Sequence, residues 1–419
     1  MRVLLIPSTY APSLGGVQNV TQNLARHLVK KGHEVQVITN RYPRSLPVVE
    51  NLDGVPVERI LFLAPEFTSV KRRRPDLFFA SFYFYPSGLR RLRNVMREFR
   101  PDVVNVHFPD HQIPFVLSLR RGFKVRLVVS LHGHDVERVT MNDSGSDKQG
   151  QNGSSYSHSA TRRLRSILVE ADAVTACSQY LMDKAIQVEP SIAKKGRVIR
   201  NGIDPVRFQD KTAYILSRPY ILAIGRLVRI KGIDMLLDAF AKTQTDVDLV
   251  IAGDGEERAA LENQTRQLGI EKRVHFFGAV TPEQAVRLLN GCRFVVIPSR
   301  SESFGIVAVE ALVAGKSVLA SRVGGLAELL MDLQHQVSDV HHSTYPDVWS
   351  SRLTDKDVIR LGQFITLVEP NSAALAEGLG QVLHCQPNLD FDTRSLVKNY
   401  SWERVVNEYE AVMKYSQNC

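Results

Sequence analysis

The chain has 419 residues, 44% hydrophobic and 23% charged, with a net charge of +9. That is too long for one ordinary core and has the balance of a soluble globular protein, so two domains are expected. No run of about 18 apolar residues suggests a transmembrane helix. The short apolar run Val3–Ile6 after Arg2, stopped by Pro7, does not make a signal peptide. Cys177, Cys292, Cys385 and Cys419 lie far apart with no C-x-x-C pair. That spacing offers neither a metal nor a disulfide framework and fits a reducing compartment.

In chain order, Val3–Ile6 reads as a strand, 18–31 as a helix stopped at Gly32, and 34–39 as a strand. Val103–His107, 125–131 and Ala173–Ala176 are short apolar runs suited to buried parallel strands. The pattern then restarts. Strands are expected at Tyr220–Ile224, Asp248–Ala252, 274–277, 294–298 and 317–320. Helices are expected at 232–241, 256–268, 282–290 and 306–314. A last helix runs from Ser401, its N-cap, to about Tyr415. Strand–helix alternation of this kind means an α/β chain of two doubly wound, Rossmann-like domains facing a cleft at the carboxyl ends of their strands. The domains are set at 1–205 and 206–395, with 396–419 crossing back to the first. Residues 141–159, rich in Gly, Ser and Asn, read as a loop. Residues 334–358 read as a weakly patterned insertion, whose His335, His341 and His342 suit a polar surface better than a metal.

The charge is uneven. Residues 1–200 hold roughly 30 Lys and Arg against 17 Asp and Glu, about +13, leaving about −4 for the rest. Clusters stand at Lys71–Arg74, at Arg90, Arg91, Arg93 and Arg97, at Arg120–Arg121, and at Arg162, Arg163 and Arg165. An anionic partner or a solvated basic face fits equally. A membrane surface, a lipid phosphate or an acidic glycan would serve as the partner. No zinc-finger spacing or RNA-binding signature points to nucleic acid.

Three segments carry chemistry. Gly15 and Gly16 open the first helix, where backbone can approach a ligand and free N–H groups can meet an anion. Read alone, they suit a structural turn better than a ligand site. Arg226, Arg229 and Lys231 follow the strand at 220–224, where they can grip a diphosphate or form an ordinary basic loop. Glu302, Gly305 and Glu310 flank another helix start. The carboxylates suit paired hydroxyls of a ribose or hexose, or are a surface and a capping Glu.

Together these segments resemble the family 4 retaining glycosyltransferases of GT-B fold. Glu302 and Glu310 match the family's E-x7-E signature around Phe304-Gly305. Gly225-Arg226 with Lys231-Gly232 is similar to its phosphate-binding segment, and Gly15-Gly16 to its glycine loop. Arg200-Asn201-Gly202-Ile203-Asp204 is similar to its interdomain link, with Arg200 in place of Pro. Ala176-Cys177-Ser178, Gly253-Asp254-Gly255 and Ser401-Trp402 follow in the family's order. The resemblance implies a transfer of a hexosyl-type sugar from a nucleotide-diphosphate sugar co-substrate, with no cofactor and no metal. By the same resemblance Arg226 and Lys231 neutralise the diphosphate and Glu310 holds the ribose. Glu302, with the backbone of Phe304, Gly305, Ile306 and Val307, holds the sugar and its phosphate. Val280 stands by the nucleobase, Gly15 and Gly16 approach the donor phosphate from the other domain, and His132 lies near the sugar. His134 and Asp135 are neighbours without separable roles. The pairs Asp246/Asp248, Asp355/Asp357 and Asp390/Asp392 read as incidental. The acceptor stays open: glycan, lipid-linked intermediate or small molecule. The expected setting is cytoplasmic, peripheral at the inner face of a membrane. The alternatives are a nucleotide-sugar epimerase and a non-catalytic sugar-nucleotide-binding protein.

Overall fold

The computed structural model describes residues 1–13, 15–65, 75–143, 153–338, 358–361, 364–384 and 394–414. The chain divides into two compact units. One joins Met1–Gly202 to Trp402–Cys419, and the other is Ile203–Ser401.

The first unit is built on β1 (Arg2–Pro7), β2 (Glu34–Asn40), β3 (Val49–Leu52), β4 (Val55–Ile60), β5 (Val103–His107), β6 (Arg126–Leu131), β7 (Ala173–Ala176) and β8 (Gly196–Val198). They form one sheet in the order β3-β4-β2-β1-β5-β6-β7-β8, parallel except for β3 against β4. β1, β5, β6 and β7 are buried almost throughout. Apolar runs without alternation are what a sheet covered on both faces requires. The order reverses between β1 and β5, and that reversal is where ligands gather in such sheets.

The second unit repeats the design with β9 (Tyr220–Ile224), β10 (Asp248–Ala252), β11 (Val274–Gly278), β12 (Phe294–Ile297), β13 (Ser317–Ser321), β14 (Val358–Leu361) and β15 (Ile365–Val368). Their order is β11-β10-β9-β12-β13-β15-β14, with only the edge strand β14 antiparallel. Here the reversal lies between β9 and β12.

The helix Trp402–Lys414 packs its apolar face into the first unit. Trp402, Val405, Val406, Tyr409 and Met413 share a core with Val3, Leu5, Leu24 and Leu28. Trp402 stacks on His27 with 5.8 Å between ring centres, and lies so close to Gly202 that a Cβ there would meet the indole at 2.9 Å. The Ser401 hydroxyl donates to the Lys398 carbonyl at 3.0 Å.

Part of the loop expected over 141–159 is helical. One helix runs to Asp143 and the next begins at Gly153 and ends at Glu170. The buried Leu164, Ile167 and Leu168 anchor that second helix, and tertiary packing carries it into a stretch of weak helix formers. The helix Gly324–Ser338 likewise takes in His335. His341, His342, the Lys71–Arg74 cluster and the pairs Asp355/Asp357 and Asp390/Asp392 lie outside the described residues.

Trp402→Ala removes a large, nearly buried side chain from the first unit's core. A loss of about 3–5 kcal/mol is expected by chemical denaturation, comparable to other buried aromatic truncations.

Candidate functional site

The carboxyl ends of β9 and β12 bring the expected residues of the second unit together. After β9, Gly225 takes a positive φ of 153°, and the chain folds over the loop after β10. Gly253 fits there only as glycine, since a Cβ would stand 1.8 Å from the Gly225 carbonyl oxygen. The Leu227 N–H donates to the Asp254 carbonyl at 2.9 Å. A short 3-10 turn, Arg229–Lys231, then ends at Gly232. With φ of 64°, Gly232 presses on β12's exit, where a Cβ would meet the Pro298 carbonyl oxygen at 2.0 Å. The two loops are therefore in backbone contact.

That contact is reinforced by a charged strap. Arg300 grips both carboxylate oxygens of Asp234 at 2.6 Å, and its backbone N–H donates to the Ile230 carbonyl at 2.8 Å. The result is a direct ion pair between the Lys231 ammonium and the Glu302 carboxylate. The Ser299 hydroxyl donates to the same Glu302 oxygen at 3.2 Å. Arg226 stands exposed on the β9 loop.

Beyond Glu302, Gly305 has a φ of 89° and no side chain caps the helix Ile306–Val313. A Cβ on Gly305 would meet Leu326 at 2.5 Å, so the backbone turns closely there. Ile306 and Val307 remain half-buried at this uncapped amino end, which can receive an anion. The Phe304 side chain is buried, leaving its backbone as the group a ligand can meet. Glu310, one turn on, is half-buried. Burial pushes its carboxyl up to about 7, against the opposing pull of Arg207. Val280, half-buried, follows β11.

In the first unit the reversal point carries His107 at the end of β5 and His132 after β6. Their rings are bonded, His107 Nδ1 to His132 Nε2, at 3.0 Å. Burial holds His132 down to about 4 and His107 well below its ordinary value, so both are neutral at pH 7. Asp135 organises the loop between. Its carboxylate accepts from the backbone N–H groups of His132 and Gly133, at 3.1 and 2.7 Å. Burial raises Asp135 to about 6, opposed by those same bonds. The helix Gly16–Lys30 also starts without a side-chain cap, at Gly15. Space over Gly16 is open, with nothing within 4 Å of a Cβ placed there.

Sequence reading missed His107, Ser299 and the Asp234–Arg300 pair. His107 and Asn105 are polar residues inside an apolar strand, and that signal was available. Asp248, of the first D-x-D pair, begins β10 and binds His275 at 2.8 Å, at the opposite end of the strand from the site. Among the described residues, no group of three or more His, Cys, Asp or Glu could hold a metal ion.

Comparisons with known proteins bear on the family and the fold. Residues 14–207 match the family model described as glycosyltransferase family 4, and residues 207–339 that of glycosyl transferases group 1. An uncharacterised glycosyltransferase of Methanocaldococcus jannaschii is 30% identical over 81% of this chain and 84% of its own. Sucrose-phosphate synthase of Thermosynechococcus elongatus shares the fold with a TM-score of 0.70, at 21% identity over 98% of both chains. Anabaena HepE, determined in complex with UDP-glucose, shares it with a TM-score of 0.64, at 19% identity over 99% of both chains.

Glu310 generates a pH prediction. Its carboxyl titrates near 7 in the fold and near 4.5 when unfolded. Between those values the folded chain keeps a proton that the unfolded chain releases, so stability falls as pH rises from about 4.5 to about 7 and levels off above that. In the ligand-free protein, Glu310→Gln is expected to be stabilising by about 3 kcal/mol at pH 8 and near neutral at pH 4.5, read by denaturation at both values.

Proposed function

The chain belongs to glycosyltransferase family 4, and from that premise we propose that it transfers a hexosyl group from a nucleotide-diphosphate sugar with retention of anomeric configuration. The observation that carries this reading is the Lys231–Glu302 contact at the β9/β12 reversal, beside the uncapped helix at Gly305. It joins a cation for phosphate, a carboxylate for hydroxyls and a ready anion site within one small region. The Anabaena structure with UDP-glucose supports a nucleotide-sugar donor.

Sugar transfer passes through an oxocarbenium-like state, positive on the ring and negative on the departing phosphate. Cations already in place stabilise that negative charge more in the transition state than before it. In this reading Arg226 and Lys231 supply them, with the N–H groups of Ile306 and Val307. Lys231 leaves part of its bond to Glu302 when phosphate arrives, and Glu302 turns its oxygens to the sugar hydroxyls. Ionised Glu310 accepts from the ribose diol, and Val280 borders the base. In the first unit, Gly15 and Gly16 offer N–H groups to an anion of the substrates. His132, being neutral, can bond a sugar hydroxyl without repelling positive charge on the ring. Retention follows if the acceptor enters on the leaving group's face and a departing phosphate oxygen takes its proton. With side chains and helix ends neutralising the diphosphate, no divalent metal is required. The acceptor is a glycan, a lipid-linked intermediate or a small molecule. The enzyme works in the cytoplasm, in peripheral contact with an anionic membrane at its inner face.

Thermal shift against UDP-, GDP- and ADP-sugars, with and without EDTA, tests the donor site. A donor at about 100 times its dissociation constant should add about 2.7 kcal/mol, EDTA having no effect. Lys231→Ala should lower turnover about a hundredfold or more, as loss of one preorganised charge does elsewhere. Proton NMR of the fresh product should give the donor's own anomeric configuration. No shift with any donor, or an inverted product, would overturn the assignment.

A further inference from the structure

The first unit carries a surface that sugar transfer leaves without a task. The helix Pro75–Phe99 buries Leu89, Leu92, Val95 and Met96 on one side. Phe79, Tyr83, Pro86, Arg90, Arg93 and Arg97 recur on the other at alternating steps of four and three, which places them along one side of the helix. All six are exposed.

The stripe is divided by chemistry. Its first half is aromatic, with Phe79 69% and Tyr83 75% exposed, and Phe82 beside them 57% exposed. Phe78 packs edge-on against Phe79 and Phe82, at 5.7 and 5.2 Å between ring centres, and holds them as a group. A cluster of large aromatics left in water marks an interaction site. The second half is arginine. Arg91, off the stripe, turns to the buried Glu58 and pairs with it, so the stripe's arginines are a separate set.

At its far end the stripe runs into a recess of about 670 Å³ at the amino ends of β1, β5 and β6. Arg97 is shared by both. Arg2, Arg100, Lys124 and Arg126 also line the recess, and one carboxylate, Asp102, faces these five cations. Asp102 is engaged by Arg2, accepting from its backbone N–H at 2.7 Å. The recess lies at the opposite end of the sheet from His107 and His132.

We propose that this face seats the first unit on an anionic phospholipid surface. Phe79, Phe82 and Tyr83 enter the boundary between headgroups and acyl chains. Arg90, Arg93 and Arg97 lie along the headgroups, and the recess holds a lipid phosphate. The combination selects lipid over an acidic glycan, because phenylalanine rings gain nothing from a fully hydrated polyanion but are stabilised in an apolar layer. Each cation near such a surface contributes about 1 kcal/mol, a contribution that salt screens. The inference deepens the membrane contact named above and is independent of the donor assignments.

Vesicle flotation of the full chain tests it, using phosphatidylcholine alone or mixed with phosphatidylglycerol, at low and high salt. Wild type should float only with the anionic vesicles, and salt should weaken the binding. Arg100→Ala with Lys124→Ala should weaken partitioning about thirtyfold. Phe79→Ser with Phe82→Ser should also weaken it and remove the part that survives salt. These side chains are exposed, and an unchanged melting temperature and donor shift would show that both variants fold. Equal flotation with zwitterionic vesicles, or variants that float like wild type, would overturn the proposal. So would stabilisation by inorganic pyrophosphate without any flotation, which would make the recess a site for a free anion.

Discussion

Much of the second unit depends on a backbone contact with no room in it. Gly232 rests on the Pro298 carbonyl at a distance that excludes any Cβ. This contact sets the loop after β9 against the loop after β12, and so sets Lys231 against Glu302. The Asp234–Arg300 strap then resists shear between the loops. A charge is presented at least cost when the backbone that carries it need not move. Here the rigidity comes from glycine and from hydrogen bonds, while the charged side chains remain half-exposed.

The first unit uses a different means to present its polar groups. His107 and His132 are kept neutral by burial and bonded to each other, and Asp135 fixes the loop through backbone N–H groups. The two strand-exit regions thus differ in charge. The one after β9 and β12 carries an ion pair, and the one after β5 and β6 carries two neutral imidazoles. Glu310 stands between these cases, since its burial leaves it half-protonated near neutral pH.

Legibility in the sequence followed the physics of burial. β1, β5, β7, β9, β10 and β12 were readable because a parallel strand covered on both faces is mostly apolar without alternation. β3, with its alternating exposure, gave no such run, and the helix from Gly153 was hidden by weak helix formers. Lys231 and Glu302, which the fold brings into contact, stood out in the sequence because charge lies beside glycine after a strand. His107 was not singled out, because its partner is 25 residues away and only the sheet brings them together. The Asp234–Arg300 strap was hidden for the same reason, across 66 residues.

The chain enters the second unit at Ile203 and leaves it at Ser401, and the helix that follows supplies Trp402, Val405 and Tyr409 to the first unit's core. During synthesis from the amino end, the first unit's sheet emerges early but its core stays open on the side that this helix covers. The second unit has all of its residues outside the ribosome before the first does. The unit begun first is therefore finished last, since its core closes only after the helix Trp402–Lys414 has followed the second unit out.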